Sequence, residues 1–190
     1  MNTHMENISK PISLYIPFAF LVTALLSFYI AAVNKVDLKP FEVEYPAEAF
    51  IAPGFQMPSL SGGTVNLSEY RGKVVFINFW ATWCATCKVE MPSMEKLYQR
   101  FKNRGFEMLT ISVDKDRSLI EPFMKEYNLS FPVLLDPDSQ VAKRKYKTTG
   151  VPETFILNRD GIIVHKAIGP RDWATEETLS AFEELIHGAS

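Results

Sequence analysis

The sequence predicts an α/β fold with a mixed β-sheet flanked by helices on both faces. A run of β-branched and aromatic residues at 73–80 is typical of a buried central strand, and an amphipathic helix pattern follows it. The strand-to-helix alternation then recurs, and a hairpin pattern followed by a helix completes the chain. Elements in the order ββ, then βαβα, then ββα favour a sheet with both parallel and antiparallel strands.

An apolar segment ahead of this domain predicts one N-terminal transmembrane helix. No charged residue lies between Pro11 and Asn34, and about 20 apolar residues in a helix span the hydrocarbon core. A cleaved signal peptide is the alternative, although its apolar core is shorter, about 7–15 residues. Lysines flank the segment on both sides, so the charge count does not decide its orientation. The chain divides into a tail at 1–10, an anchor at 11–34, a linker at 35–53 and a globular domain at 54–190.

The first half of the globular domain has three elements with distinct patterns. Gly62-Gly63 supplies the positive φ angles of a tight turn, which predicts an N-terminal hairpin extension over 54–67. The central strand at 73–80 comes next. The helix after it has apolar residues at i, i+3, i+4 and i+7, namely Met94, Leu97, Tyr98 and Phe101.

The second half contains shorter elements. Strands are expected at 106–113, 133–135, 153–157 and 162–168. Helices are expected around 120–127, 140–146 and 179–186. The turn between the last two strands, Asn158 to Gly161, is a strong hairpin signal because it combines Asn, Asp and Gly.

Charge and cysteine content exclude several functions. The formal net charge is −2, so no basic field favours nucleic-acid binding. A basic run at 143–147 is better explained as a solvated helix end than as a partner-binding patch. The two cysteines are too few for a disulfide scaffold, and a bridge across two residues removes little unfolded-state entropy. No cofactor is expected.

Cys84 and Cys87 lie between the predicted central strand and the helix after it. This position puts Cys84 at a helix amino terminus, where N–H groups and the helix dipole stabilise a thiolate. We therefore expect Cys84 to attack a disulfide and to be more exposed and more acidic than Cys87, which resolves the mixed disulfide. A metal half-site and an inert pair are weaker alternatives. The three histidines, His4, His165 and His187, show no ligand-like spacing.

Two longer segments carry a resemblance to a known family. The stretch VVFINFWATWCATCKVEMPSMEKLY and the later FPVLLDPDSQVAKRKYKTTGVPETFILNRDGIIV, together with the predicted anchor, resemble the TlpA/ResA-like membrane-anchored branch of the thioredoxin superfamily. That branch is related to the cytochrome c maturation thioredoxins. The resemblance covers about residues 54–187 and implies a thioredoxin-like fold.

The resemblance also implies roles for individual residues. Pro152 matches the cis-proline beside the redox pair, where the neighbouring backbone binds an extended substrate segment. Val151, Glu153 and Trp83 are accordingly candidate substrate-docking residues, although simple packing also explains Trp83.

Glu90 matches an acidic position beside the pair and is the third candidate catalytic residue. A buried carboxyl there can move protons, whereas the simpler interpretation is a first-turn glutamate facing the helix dipole. Ordinary thioredoxin has an aspartate where this chain has Asn78, so any proton relay must use another group. Many relatives have a proline between the two cysteines, and this chain does not. The redox potential of those relatives therefore cannot be assigned to this pair by analogy.

The expected function is a thiol–disulfide oxidoreductase that reduces exported proteins. The resemblance implies apocytochrome c or another exported thiol protein as substrate and a membrane thiol carrier as electron donor. It places the domain outside the cytoplasmic membrane of a bacterium, on a single-pass anchor. A disulfide oxidase with the same two cysteines is the main alternative. A peroxidase and a binding or copper-delivery module fit less well, because Cys84 lacks a preceding proline and the copper-type cysteine spacing is wider.

Overall fold

The computed structural model describes residues 50–188, which contain eight strands and three α-helices. The strands are β1 (Phe50–Ile51), β2 (Gln56–Pro58), β3 (Thr64–Asn66), β4 (Val74–Trp80), β5 (Phe106–Ser112), β6 (Val133–Leu135), β7 (Glu153–Leu157) and β8 (Ile162–Ile168). The α-helices are α1 (Ala85–Phe101), α2 (Ile120–Glu126) and α3 (Glu176–His187). Short 3₁₀ turns cover Leu67–Tyr70 and Arg117–Leu119, and a π-helical turn covers Gln140–Lys145.

Six strands form one mixed sheet in the order β1-β8-β7-β4-β5-β6. Strand β4 pairs in parallel with β5 and antiparallel with β7, so it lies inside the sheet as the sequence predicted. Asn78 is opposite Thr110 on one side and Thr154 on the other. The predicted thioredoxin-like architecture of a mixed sheet with flanking helices is confirmed.

The continuous apolar sequence of β4 follows from burial on both faces. All seven of its residues are buried. Val74, Phe76 and Trp80 join the core on the α1 and α3 side, whereas Val75, Ile77 and Phe79 join the core on the opposite side. A strand with two buried faces loses the usual alternation of polar and apolar residues, and here Asn78 is its polar exception.

The N-terminal hairpin forms a separate sheet. Strands β2 and β3 pair antiparallel, with Met57 opposite Val65. Gly62 and Gly63 between them have φ angles of 98° and 75°, which glycine adopts without steric cost. The Leu60 amide donates to the Val133 carbonyl at 2.9 Å, and this bond attaches the hairpin to the edge of the main sheet.

Two elements differ from the sequence-based expectation. Strand β1 was not predicted, and it lies within the segment assigned to the linker at 35–53; Phe50 pairs with Ile163 and Ile51 with Ile162. The helix expected around 140–146 is a π-helical turn. Its start is fixed by the buried Asp136 carboxylate, which accepts hydrogen bonds from the amides of Gln140, Val141 and Ala142.

None of the helices within residues 50–188 combines the length and apolar character needed to cross a bilayer. The predicted tail at 1–10 and anchor at 11–34 lie outside the described residues. Most of the predicted linker lies outside them too.

Candidate active site

Cys84 and Cys87 form a disulfide at the amino terminus of α1, with their Cα atoms 5.3 Å apart. Cys84 is the N-cap residue, with extended backbone angles, and its sulfur accepts a hydrogen bond from the Cys87 amide at 3.1 Å. The chain reaches this position from the end of β4 through Ala81, Thr82 and Trp83. The predicted strand-to-helix placement of the pair is confirmed.

The two cysteines differ in exposure. Cys84 retains 6% of its surface and Cys87 retains none, which agrees with the predicted order of exposure. Trp83, directly before Cys84, is 67% exposed. Of the two sulfur-bearing residues, Cys84 is thus the one with accessible surface, and its neighbour Trp83 is largely exposed.

The segment before β7 lies against Cys84. The Val151–Pro152 peptide bond is cis, as the resemblance implied. The Val151 carbonyl oxygen is 3.5 Å from the Cys84 sulfur. Because β7 and β4 are neighbours, with Glu153 opposite Phe79, the segments flanking both strands meet at one end of the sheet. Val151 is half-buried and Pro152 is buried.

Glu90 lies in the interior, one turn along α1 from Cys87. Its carboxylate accepts hydrogen bonds from Asn78 Nδ2 at 2.9 Å, from Trp173 Nε1 at 3.1 Å and from the Arg171 amide at 3.3 Å. Burial removes water from the charged form and raises the pKa of Glu90 to about 7, although these hydrogen bonds act in the opposite direction. The carboxyl is thus poised to exchange a proton near neutral pH.

Trp173 and Thr154 complete this interior cluster, and sequence analysis missed both. Trp173 is fully buried and contacts the Phe76 ring edge-to-face at 4.8 Å. Thr154 accepts a hydrogen bond from Asn78 Nδ2 at 2.9 Å. Trp173 is 83 positions from Glu90, and no local pattern reveals that pairing. The one available signal was a polar Asn78 within the otherwise apolar strand.

Glu153 is positioned differently from the other proposed docking residues. It is fully buried, so it presents no surface to a substrate. Its carboxylate accepts hydrogen bonds from the Thr149 amide at 2.9 Å and the Thr149 hydroxyl at 3.1 Å, and it forms an ion pair with Lys166 at 2.6 Å. The structure therefore places Glu153 in the interior, where its hydrogen bonds with Thr149 hold the start of the segment leading to Val151.

Asp114 holds the loop at 81–83 that precedes Cys84, and the sequence analysis did not identify it. Its carboxylate accepts hydrogen bonds from the Thr82 amide at 2.9 Å, the Thr82 hydroxyl at 2.7 Å and the Ser112 hydroxyl at 2.8 Å. Thr82 precedes Trp83 and Cys84. Asp114 thus ties the carboxyl end of β5 to the loop that presents the reactive sulfur.

Within residues 50–188 no cluster of three or more His, Cys, Asp or Glu side chains is arranged to hold a metal ion. The site brings together the two sulfurs of Cys84 and Cys87 and, one helical turn further along α1, the buried carboxyl of Glu90.

Comparison with known proteins assigns the chain to a family. The model of the AhpC/TSA family matches residues 50–166. The chain belongs to this family. Curated relatives of this chain carry the name thiol-disulfide oxidoreductase ResA. The protein from Bacillus subtilis (strain 168) is 37% identical over 140 residues, which cover 74% of this chain and 76% of the relative. The protein from Geobacillus kaustophilus (strain HTA426) is 38% identical over 141 residues, covering 73% and 80%.

Solved structures agree with this assignment. A thiol:disulfide interchange protein from Bacteroides sp. superposes with a TM-score of 0.64 at 26% identity, covering 76% of this chain and 93% of that one. A thiol-disulfide oxidoreductase from Bacteroides fragilis NCTC 9343 gives a TM-score of 0.62 at 28% identity, covering 70% and 98%. This AhpC/TSA-family chain is a thiol–disulfide oxidoreductase with a thioredoxin-like fold.

Proposed function

We propose that the protein is a membrane-anchored disulfide reductase acting on exported proteins, and that Cys84 and Cys87 supply its electrons. The observation that carries this proposal is the buried Glu90 carboxyl, with a pKa of about 7, one helical turn behind the fully buried Cys87. A buried thiol has no water to take its proton when it must react. A carboxyl that titrates near neutral pH supplies that acceptor.

The reaction begins at Cys84. Its thiolate attacks one sulfur of the substrate disulfide, which forms a mixed disulfide and releases the other substrate sulfur as a thiolate. The Cys87 thiolate then attacks the Cys84 sulfur. This step closes the Cys84–Cys87 disulfide and releases the second substrate thiolate, so two electrons pass from the protein to the substrate.

Glu90 acts between these two steps. Cys87 must lose its proton before it attacks, and the ionised Glu90 carboxylate accepts that proton. Residues three apart on a helix have neighbouring side chains, about 5–6 Å between Cβ atoms. Asn78 and Trp173 hold the carboxylate in place through their hydrogen bonds.

Trp83, Val151 and Pro152 form the proposed docking site, in which Trp83 and Val151 have accessible surface and the buried Pro152 contributes the cis peptide bond next to Val151. Val151 presents its backbone at the edge of the site beside Cys84, and this arrangement suits pairing with an extended substrate segment. Glu153 acts as a positioning residue for that loop through Thr149.

The proposed setting is the outer side of a bacterial cytoplasmic membrane. The uncharged segment at 11–34 has the length of a single transmembrane helix. Tethered there, the domain reduces selected disulfides in an otherwise oxidising compartment. Apocytochrome c is the specific substrate we propose, with a membrane thiol carrier returning electrons to the pair. Recovery of the uncleaved full chain in the soluble cell fraction would contradict this anchoring.

A disulfide oxidase is the second candidate, and the N-cap position of Cys84 favours it. The helix terminus and the Cys87 amide stabilise a Cys84 thiolate, which exists only in the reduced form. Stabilising the reduced form makes the disulfide a stronger oxidant. The redox equilibrium with glutathione separates the two candidates: a reductase has a potential well below that of the glutathione pool, and an oxidase has one above it.

Insulin reduction tests catalysis directly. The wild-type chain should accelerate insulin precipitation with dithiothreitol, and Cys84→Ser should fall to the uncatalysed rate. A binding module would show no difference between the two. Cys87→Ala should accumulate a mixed disulfide on Cys84 in cells, and mass spectrometry of that adduct identifies the substrate. An adduct population without apocytochrome c would contradict the specific substrate proposed.

A further inference from the structure

Thr86 lies between the two cysteines, in the first turn of α1, and its hydroxyl contacts the Cys84 sulfur. Thr86 Oγ1 is 3.4 Å from Cys84 Sγ. In the disulfide neither sulfur carries a hydrogen, so the Thr86 hydroxyl is the donor and Cys84 Sγ is the acceptor. Within residues 50–188 this sulfur is the only hydrogen-bond partner of that hydroxyl. The steps assigned above to Cys84, Cys87 and Glu90 make no use of it.

The Cys84 sulfur thus receives two hydrogen bonds from the first turn of α1. The Cys87 amide donates at 3.1 Å, and the Thr86 hydroxyl donates from an exposed position. The Val151 carbonyl oxygen, at 3.5 Å, has no hydrogen to donate to a thiolate. In the described part of the chain, Thr86 therefore supplies the only side-chain hydrogen bond to this sulfur.

The strength of this bond depends on the charge of the sulfur. Reduction of the pair by two electrons breaks the S–S bond, and with one proton taken up by Cys87 it leaves a Cys84 thiolate. Hydrogen bonds to an ionised partner are roughly twice as strong as those between neutral groups. The Thr86 hydroxyl therefore stabilises the thiolate more than the thiol or the disulfide, because the Cys84 sulfur is neutral in both of those forms.

We propose that Thr86 is a catalytic residue, whose hydroxyl donates to the Cys84 thiolate, lowers the pKa of Cys84 and raises the reduction potential of the pair. The inference rests on the proposed role of Cys84 as the attacking thiolate, and it holds for reduction and oxidation alike. The bond increases the fraction of Cys84 that is ionised, although each thiolate attacks more slowly. It also makes Cys84 a better leaving group when a second thiolate of the electron donor displaces it from their mixed disulfide.

Two substitutions separate the hydroxyl from the rest of the side chain. Thr86→Val keeps the size and branching but removes the donor, whereas Thr86→Ser keeps the donor. Valine and threonine have similar helix propensities and Thr86 is exposed, so α1 should form in each variant. Thr64→Val is the matched control, because Thr64 is also exposed and lies on β3, outside α1. Each full chain is reconstituted in phospholipid nanodiscs.

Alkylation of the reduced proteins by iodoacetamide at a series of pH values measures the pKa of Cys84, and mass spectrometry shows which sulfur reacts. Thr86→Val should lower the acid dissociation constant of Cys84 about threefold to tenfold, which raises its pKa by about 0.5–1. The effect is smaller than for a buried bond, because water replaces part of the lost donor at an exposed position. Thr86→Ser should stay within about twofold of the wild type, and Thr64→Val should match it.

The redox equilibrium with glutathione measures the second consequence, at a pH at which Cys84 is ionised in every variant. Thr86→Val should favour the disulfide by the same factor of about three to ten, which lowers the potential by about 14–30 mV for this two-electron couple. The two measurements should agree, because the thiol and the disulfide both present a neutral sulfur to the hydroxyl. Thr86→Ser and Thr64→Val should keep the wild-type potential.

An unchanged pKa or an unchanged potential in Thr86→Val would overturn the inference while leaving the proposed role of Cys84 intact. Equal shifts in Thr86→Val and Thr86→Ser would also overturn it, because the hydroxyl would not be their cause. The same shift in Thr64→Val would have that meaning too. If iodoacetamide modified Cys87 before Cys84 in the reduced wild type, the proposed role of Cys84 and this inference would fail together.

Discussion

Behind the Cys84–Cys87 disulfide lies a buried polar cluster, whereas in front of it lies a surface with large, exposed apolar side chains. Glu90, Asn78 and Trp173 have no exposed surface and are joined by hydrogen bonds. Trp83 and Leu119, on the other side, are largely exposed. Burial normally sorts side chains the other way. The difference matches the two roles proposed above, proton transfer by the buried Glu90 carboxyl and substrate recognition by the exposed side chains.

The two tryptophans provide the sharpest test of this comparison. Trp173→Ala removes a fully buried side chain and the donor to Glu90, and it should cost about 3–5 kcal/mol of unfolding free energy. Trp83→Ala removes an exposed side chain and should change stability by less than about 0.5 kcal/mol. Urea unfolding measures both values. Similar losses for the two variants would remove the distinction between the two sides.

Substrate binding should depend more on the exposed tryptophan. Trp83→Ala should raise the KM for protein disulfides at unchanged stability, because the exposed aromatic part of the proposed docking site is removed. A Trp83→Phe variant keeps an apolar ring and should recover most of that loss. An unchanged KM in Trp83→Ala would leave Trp83 as a packing residue without a role in docking.

Local patterns predicted the elements that carry the site. Strand β4 was predicted because both of its faces are buried, and α1 because its apolar stripe has helical spacing. The position of Cys84 at the helix terminus follows from these two elements alone. The cis bond at Pro152 came from the family resemblance, because no local pattern distinguishes it from a trans bond.

The contacts that hold the site were beyond local patterns. The hydrogen bond between Trp173 and Glu90 joins residues 83 positions apart, and the bond between Asp114 and Thr82 joins residues 32 apart. Strand β1 has only two residues, both exposed, so it has no alternation to detect. The Asp136 carboxylate holds the start of the π-helical turn by accepting hydrogen bonds from backbone amides. The spacing of apolar residues in the sequence does not reveal these bonds.

Glu90 makes the interior side sensitive to pH. Its pKa in the disulfide form is about 7, above the ordinary value of 4.5. The folded protein thus holds this proton between about pH 4.5 and pH 7, while the unfolded chain has released it. Stability should therefore fall as pH rises through this window, by on the order of 3 kcal/mol from this group.

Glu90→Gln should remove that slope. The glutamine oxygen can accept from Trp173, and its amide can donate to Asn78 Oδ1, which has no partner among the described residues, once the Asn78 amide rotates. Unfolding free energies at pH 5 and pH 8 for both proteins isolate the contribution, since other titrating groups are common to them. Parallel profiles would show that Glu90 does not titrate in this window. In the reduced protein, the same substitution should slow closure of the Cys84–Cys87 disulfide near pH 7.

Substitution of Glu153 tests whether a buried carboxylate positions the loop that carries Val151. Glu153→Gln puts an unpaired amide where the ion pair with Lys166 was, and it should cost about 1–3 kcal/mol. As a positioning residue for the loop before Val151, it should raise the KM for peptide disulfides more than it lowers kcat. Lys73→Gln breaks the more exposed ion pair with Glu107 and is the control, with an expected change below about 1 kcal/mol. A stability loss with an unchanged KM would assign Glu153 to folding alone.

Asp114 should give the smallest effect, because the substitution Asp114→Asn keeps one acceptor oxygen. We expect a loss of about 1 kcal/mol from weaker hydrogen bonds to Thr82 and Ser112. The loop at 81–83 should then move more freely, so acrylamide should quench Trp83 fluorescence more efficiently and the KM for peptide disulfides should rise. Thr82→Val removes only the hydroxyl partner, at 2.7 Å, and should show part of the same change. Asp138→Asn alters an exposed carboxylate outside this loop and should leave both measurements as in the wild type. If Asp114→Asn loses stability while the quenching and the KM stay constant, Asp114 stabilises the end of β5 without positioning the loop that carries Cys84.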